Sequence, residues 1–264
     1  VFCERVSEAP EPSKFRGIDL EYVRTPRLGP LTTIIFDLTI LWRARKGFDV
    51  VYMLGYGASL FCFIPRLYGT EVWINMDGLE WRRSKWSWPA RTYLRVMEMI
   101  ATWTPSRIIA DADAIRSHLE SRYGRLLNCS VIPYGAAVVT ATPSEDLLAE
   151  WGLKAGEYFI VVCRLEPENH VLDILEGYAT SSSRYSLVVL GDHKLDTPYV
   201  KRLRSVADPR VRLIGTVYDK ARLIALRFHA RGYFHGHSVG GTNPSLLEAM
   251  ASGNAVIAHD NVFN

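Results

Sequence analysis

The sequence has no two cysteines placed to act together. Its four, Cys3, Cys62, Cys129 and Cys163, are scattered over 264 residues and form no C-x-x-C pair. That spacing points to buried reduced thiols rather than disulfides or zinc ligands, most clearly for Cys62 and Cys163 inside apolar runs. A reducing, cytoplasmic setting is the matching expectation, with peripheral contact at the inner membrane surface allowed. No stretch reaches the ~20 apolar residues that cross a bilayer. The nearest, LTTIIFDLTILW at 31–42, is too short and carries Asp37. No secretory leader is visible, and there is no short-period repeat or low-complexity tract. Charge of one sign is also lacking. With 31 Lys and Arg against 28 Asp and Glu, the net charge of +3 gives no case for nucleic acid as a partner. The chain starts at Val1 and stops at Asn264 just after an apparent strand. Missing pieces at both ends, including a first strand, are therefore expected.

What is present is ordinary soluble composition, 48% hydrophobic and 22% charged, in a chain long enough for two domains. The second half alternates strictly. Apolar β-branched runs at 158–165, 185–192, 211–217, 232–237 and 255–260 are separated by helical patterns near 169–180, 198–206, 219–229 and 244–252. Continuous apolar strands alternating with helices predict a parallel, doubly wound sheet. The first half repeats the pattern, with strands at 20–25, 49–54, 71–76, 107–112 and 129–134 and helices near 30–46, 57–68, 88–103 and 112–123. The small-residue stretch AAVVTATPSED at 136–146 reads as a boundary. The expected architecture is α/β: two tandem Rossmann-like domains, residues 1–137 and 138–264.

One stretch carries chemistry. HSVGGTNPSLLEAM at 237–250 sets Gly240, Gly241 and Thr242 before Asn243, a preferred N-cap, and Pro244, suited to a first helical turn. A helix N-terminus approached by side-chain-free backbone binds phosphate or carboxylate. A tight turn that contains Gly-Gly is the plain alternative. Ligands of open parallel sheets sit at the carboxyl ends of the strands, where Arg164 also falls, at the end of YFIVVC. Arg164 is then either half of a diphosphate clamp or a surface partner of Glu166 or Glu168. Glu248 either accepts sugar hydroxyls or solvates its helix. His235 and His237 are expected to face opposite sides, so a metal pair is not expected.

The runs GGTNPSLLEAMASGNAVIA and CRLEPEN (163–169) resemble the donor half of a glycosyltransferase family 4 enzyme with the GT-B fold. GPLTTIIFDL (29–38), LGYGASLF (54–61), INMDGLEWRRSKW (74–86), ADADAI (110–115) and VIPYGA (131–136) resemble its bacterial rhamnosyltransferase-like branch. The resemblance implies polysaccharide biosynthesis and a nucleotide-sugar donor, a deoxythymidine or uridine diphosphate sugar, with rhamnose first. It also implies a cleft between two Rossmann-like domains, no required metal or other cofactor, and retention of anomeric configuration. The donor-binding positions it implies are Arg164, Asn169, His237, Gly240, Gly241, Thr242, Asn243 and Glu248. Two departures stand out. Many relatives carry two glutamates separated by seven residues; the second matches Glu248, but Gly240 occupies the first position. A lysine common five residues after the arginine is Asn169 here.

NMDGLEWRRSKW follows a strand. Asp77 is positioned for an acceptor or donor-sugar hydroxyl, with Gly78 allowing the turn. Glu80, Arg82, Arg83 and Lys85 place mixed charge beside Trp81, Trp86 and Trp88, suiting a phosphorylated or lipid-linked glycan acceptor. For Trp86 and Trp88, plugging the domain core is the preferred reading. Asp77, Arg164 and Glu248 are the candidate catalytic residues. A nucleotide-sugar epimerase of the same fold and a non-catalytic nucleotide-sugar-binding module are the competing functions.

Overall fold

A computed structural model describes residues 1–5, 12–126 and 128–264. The chain divides into two compact units. The first comprises Val1–Trp81 and Trp86–Ile132, the second Arg82–Lys85 and Pro133–Asn264.

In the first unit, β1 (Phe2–Glu4) pairs in parallel with β4 (Glu21–Val23), and β2 (Lys14–Phe15) with β3 (Ile18–Asp19) forms a small antiparallel hairpin. Then come α1 (Pro30–Arg43), β5 (Val50–Met53), α2 (Phe63–Leu67), β6 (Glu71–Met76), α3 (Trp88–Ile100), β7 (Arg107–Ala110), α4 (Asp113–Tyr123) and β8 (Cys129–Val131). The four strands β5-β6-β7-β8 form one parallel sheet in sequence order. Val72, Ile74, Met76, Ile108 and Ile109 of that sheet are buried, as are Leu41, Ile115 and Leu119 of the helices. The helix expected over 57–68 is split into a 3₁₀ turn, Ser59–Cys62, and the short α2. Pro65 explains the break, because it has no N–H to continue the turn before it.

The second unit contains β9 (Tyr158–Val162), α5 (Val171–Ala179), β10 (Ser186–Leu190), α6 (Pro198–Ser205), β11 (Val211–Gly215), α7 (Lys220–Phe228), β12 (Gly232–His235), α8 (Pro244–Ala251) and β13 (Val256–Ala258). All neighbours in its sheet are parallel, in the order β11-β10-β9-β12-β13. Its strands feed two cores by simple alternation. Val161, Leu187 and Val189 join Leu172 and Leu175 of α5 and Leu203 of α6 on one face. Tyr158, Ile160, Val188 and Leu190 join Ala225 and Leu226 of α7 and Ala249 of α8 on the other. Helices on both faces of a wholly parallel sheet are what the continuous apolar strands require. At ~25 cal/mol per Å² of apolar surface removed from water, these two layers are the main stabilising term of this unit.

Among the described residues, no helix is long and apolar enough to cross a membrane. All four cysteines are free. Cys62 is fully buried, and burial pushes its thiol up to about 12.

Candidate functional site

Strand order locates the first site. In β11-β10-β9-β12-β13 the chain winds outward in one direction from β9 and in the other from β12, so the switch point lies between those two strands. Loops leaving their carboxyl ends diverge there and open a crevice. The loop after β9 carries Arg164, and the loop after β12 carries His237 to Asn243 and leads into α8.

Asn243 caps α8 through its side chain, which accepts from the Ser245 N–H at 3.0 Å. Gly240 has φ 152°, a conformation that favours glycine, and a Cβ there would meet nothing within 4 Å. The glycine is thus demanded by backbone conformation, not by crowding. Gly236, which the motif reading passed over, is the crowded one. A Cβ there would lie 2.3 Å from the Asn169 carbonyl oxygen. The two loops are stitched together at that point. The Ser238 N–H and hydroxyl both donate to the Glu168 carbonyl at 3.0 Å, and His170 Nε2 lies 3.1 Å from the Ser238 hydroxyl. His170 itself has φ 50°, uncommon for a non-glycine residue.

Three expectations change here. Asn169 is buried, and its Nδ2 donates to the Arg164 carbonyl at 2.6 Å, so its side-chain amide ties the loop instead of facing a ligand. Arg83 is not presented to an acceptor. Its side chain is 12% exposed, bonded through Nε to Glu168 at 3.1 Å and through Nη2 to Glu166. Burial pushes the Glu168 carboxyl up, but hydrogen bonds from Ser84 and Arg83 outweigh it and hold the group below its ordinary value. His235 and His237 do not face opposite sides. Their rings stack with centroids 4.2 Å apart and planes 11° apart. Strand side chains alternate with a period of two, so residues two apart share a face. Burial pushes His235 down to about 4 and His237 to about 3, and neighbouring Arg164 and Arg83 add to the shift at His237. Both imidazoles are therefore neutral at physiological pH.

With Arg83 on Glu166, Arg164 remains 67% exposed and 3.9 Å from that carboxylate. Its charge is felt by His237 on the loop after β12. Glu248 is half-exposed, with one oxygen 2.7 Å from the buried Arg227. Arg227 also donates to the Ser245 hydroxyl at 3.2 Å. Arg227 lies outside the motif and Ser245 within it, but neither role is visible there, because both depend on α7 packing beside α8.

A second candidate site lies wholly within the first unit. A pocket of about 300 Å³ opens at the carboxyl edge of β5 and β6. Asp37 and Thr33 of α1, Tyr56 and Gly57 after β5, Asp77 and Glu80 after β6, Trp86, and Tyr93 of α3 line it. Gly78, with φ 71°, provides the turn that follows Asp77. Glu80 is oriented from two sides, its N–H donating to the Tyr56 hydroxyl at 3.1 Å and its carboxylate accepting from Trp86 Nε1 at 3.3 Å. Tyr93 donates to the Gly57 carbonyl at 2.6 Å. Trp81 is the tryptophan that anchors the loop, donating to the fully buried Glu98 at 2.7 Å. The core-plug reading fails for the other two, since Trp86 walls the pocket and Trp88 is 78% exposed. Arg82, Arg83 and Lys85 group with the second unit.

Several solved structures resemble the chain. Anabaena HepE in complex with UDP and glucose matches with a TM-score of 0.73 at 20% identity, over 92% of this chain and 67% of that one. Sucrose-phosphate synthase from Thermosynechococcus elongatus gives 0.75 at 17% identity, over 97% and 70%. The lipopolysaccharide outer core galactosyltransferase WaaB gives 0.59 at 18%, over 92% and 66%. At these identities the likeness establishes the fold, that of GT-B glycosyltransferases. No curated protein matches the sequence. Residues 1–137 match the family described as "Domain of unknown function (DUF1972)". That span is more than half of the 264 residues, and the chain belongs to this family.

Proposed function

We propose that the protein is a glycosyltransferase that moves a sugar from a nucleoside diphosphate donor to a glycan or lipid-linked acceptor. The observation that carries the reading is the strand order of the second unit. It sets the exposed Arg164 and the Gly240 turn at the two loops of the switch point. A leaving diphosphate develops charge as the glycosidic bond breaks, and fixed donors aimed at that charge lower the barrier. Arg164 supplies a cation, and the turn supplies backbone N–H groups free of side-chain bulk, so the reading needs no resident metal. Solved relatives of this fold in complex with UDP and with UDP-glucose support a nucleotide-sugar donor. We assign uridine or deoxythymidine as the donor base, rhamnose as the first sugar to test, and retention as the stereochemical course. With Gly240 where many relatives carry a glutamate, no carboxylate side chain comes from that position. The four free thiols suit a cytoplasmic setting.

Incubating the protein with UDP- and deoxythymidine diphosphate sugars, and following release of the nucleotide with and without added glycan, tests the reading. Acceptor-stimulated release with the product's anomeric configuration retained is the expected result. Interconversion of the donor to its epimer without acceptor would replace the reading with an epimerase.

A further inference from the structure

The pocket of the first unit has a chemistry of its own. Three carboxylates, Asp37, Asp77 and Glu80, converge on about 300 Å³, and no Lys, Arg or His is among the residues that line it. A phosphate placed there would face like charge in a partly buried site, where repulsion is little screened. Hydroxyl groups have the opposite preference, because each can donate to a carboxylate oxygen in a charge-assisted hydrogen bond. The remaining lining is largely apolar, with Tyr56, Trp86 and Tyr93 beside Ile34, Leu54, Ala90 and Leu94, which suits the carbon skeleton of a flat or puckered ring. Small-molecule pockets run from roughly 300 to 1,000 Å³, so this one suits a single ring and not an oligosaccharide.

We infer that this pocket binds an uncharged pyranose ring through its hydroxyls, with Asp37 as a specificity-determining contact beside Asp77 and Glu80. That this ring belongs to the acceptor rests on the glycosyltransferase reading; the binding chemistry rests on the pocket alone. Asp37 lies within the segment GPLTTIIFDL, where the sequence reading gives it no site role. It stands on α1 within an apolar run, one turn beyond Thr33, and both residues line the pocket. An aspartate on the apolar face of that helix is costly to bury. Burial and the nearby Glu4 push its carboxyl up to about 6. Without a ligand role, asparagine would serve packing better.

The test uses the full chain and two sets of probes, methyl pyranosides of the common hexoses and deoxyhexoses and the corresponding sugar 1-phosphates. Binding is read by saturation-transfer NMR, and UDP affinity is measured in parallel by calorimetry. At least one methyl pyranoside is expected to bind more tightly than its 1-phosphate. Asp37→Asn should weaken it by about ten- to a hundredfold, the loss of one charge-assisted hydrogen bond. The same variant should retain UDP affinity and melt no lower than the parent at pH 7.5, since it removes a half-buried charge. Asp37→Glu, which keeps the charge, should recover part of the binding. Tighter binding of the 1-phosphates, no binding of any pyranoside, or full-strength binding by Asp37→Asn would overturn the inference. Loss of UDP binding in the parent protein, with pyranoside binding intact, would count against the transferase reading and leave this pocket's assignment standing.

Discussion

Two glycines four residues apart, different in role, illustrate how single residues act here. Gly236 is needed because the Asn169 carbonyl approaches too closely for a Cβ, whereas Gly240 is favoured because its φ of 152° is one that L side chains rarely adopt. Gly236→Ala should therefore lower the melting temperature sharply, by forcing apart the two loops that form the crevice. Gly240→Ala should cost about 1–3 kcal/mol as local strain and weaken nucleoside diphosphate binding more than it disturbs the core. Calorimetric binding set beside thermal melts separates the two; equal melting losses in both variants would show that Gly240 is a packing residue. The stacked histidines make a prediction in pH. Their folded pKa values, about 4 for His235 and about 3 for His237, lie below the ordinary 6.5. Between those limits the unfolded chain binds more protons than the folded one, so stability falls as pH drops from 6.5 toward 4. Asp37, raised to about 6, works in the opposite direction between 6 and its ordinary 3.8. His237→Gln should flatten the acid-side loss in denaturant titrations across that window, and Asp37→Asn should steepen it. A His237→Gln profile parallel to the parent would show that the imidazole is already free to take a proton.

At the scale of elements, α8 is tied to α7 through Glu248 and Arg227. Arg227 is 3% exposed, so Glu248→Ala would leave a buried guanidinium short of a counter-charge. Removing one partner of a fully buried pair costs 3–5 kcal/mol, and the half-exposed Glu248 reduces this to about 2 kcal/mol. Glu248→Gln keeps a hydrogen-bond acceptor and should melt closer to the parent. If both variants lose nucleotide binding in proportion to stability, Glu248 acts through the helix; selective loss of binding in Glu248→Gln would make it a contact to the donor. The elements themselves are legible from local pattern. β-branched runs such as FIVV and LVVL mark strands, and Asn243-Pro244 marks the start of α8. Less legible were places where distant residues decide the geometry. The ion pair from Arg83 to Glu168 spans 85 positions, and Asn169 turns to a backbone carbonyl that no spacing rule identifies. The 57–68 segment reads as one helix by its apolar content, yet Pro65 divides it into a 3₁₀ turn and α2.

For the whole molecule, alternation of strand and helix was sufficient to anticipate a parallel sheet in each unit. The order β11-β10-β9-β12-β13 was not, because strand order follows from which crossovers pack, not from any one segment. That order sets the loops after β9 and β12 side by side, and with them Arg164 and the Gly240 turn, 76 residues apart in sequence. The most direct measurement is calorimetric titration of UDP and deoxythymidine diphosphate into the parent protein and Arg164→Ala. The side chain is 67% exposed, so the variant should keep its melting temperature. Its affinity for the nucleotide that binds should fall by about ten- to more than a hundredfold, the equivalent of one charge-assisted contact. Unchanged affinity in Arg164→Ala, or no binding of either nucleotide to the parent, would contradict the donor site.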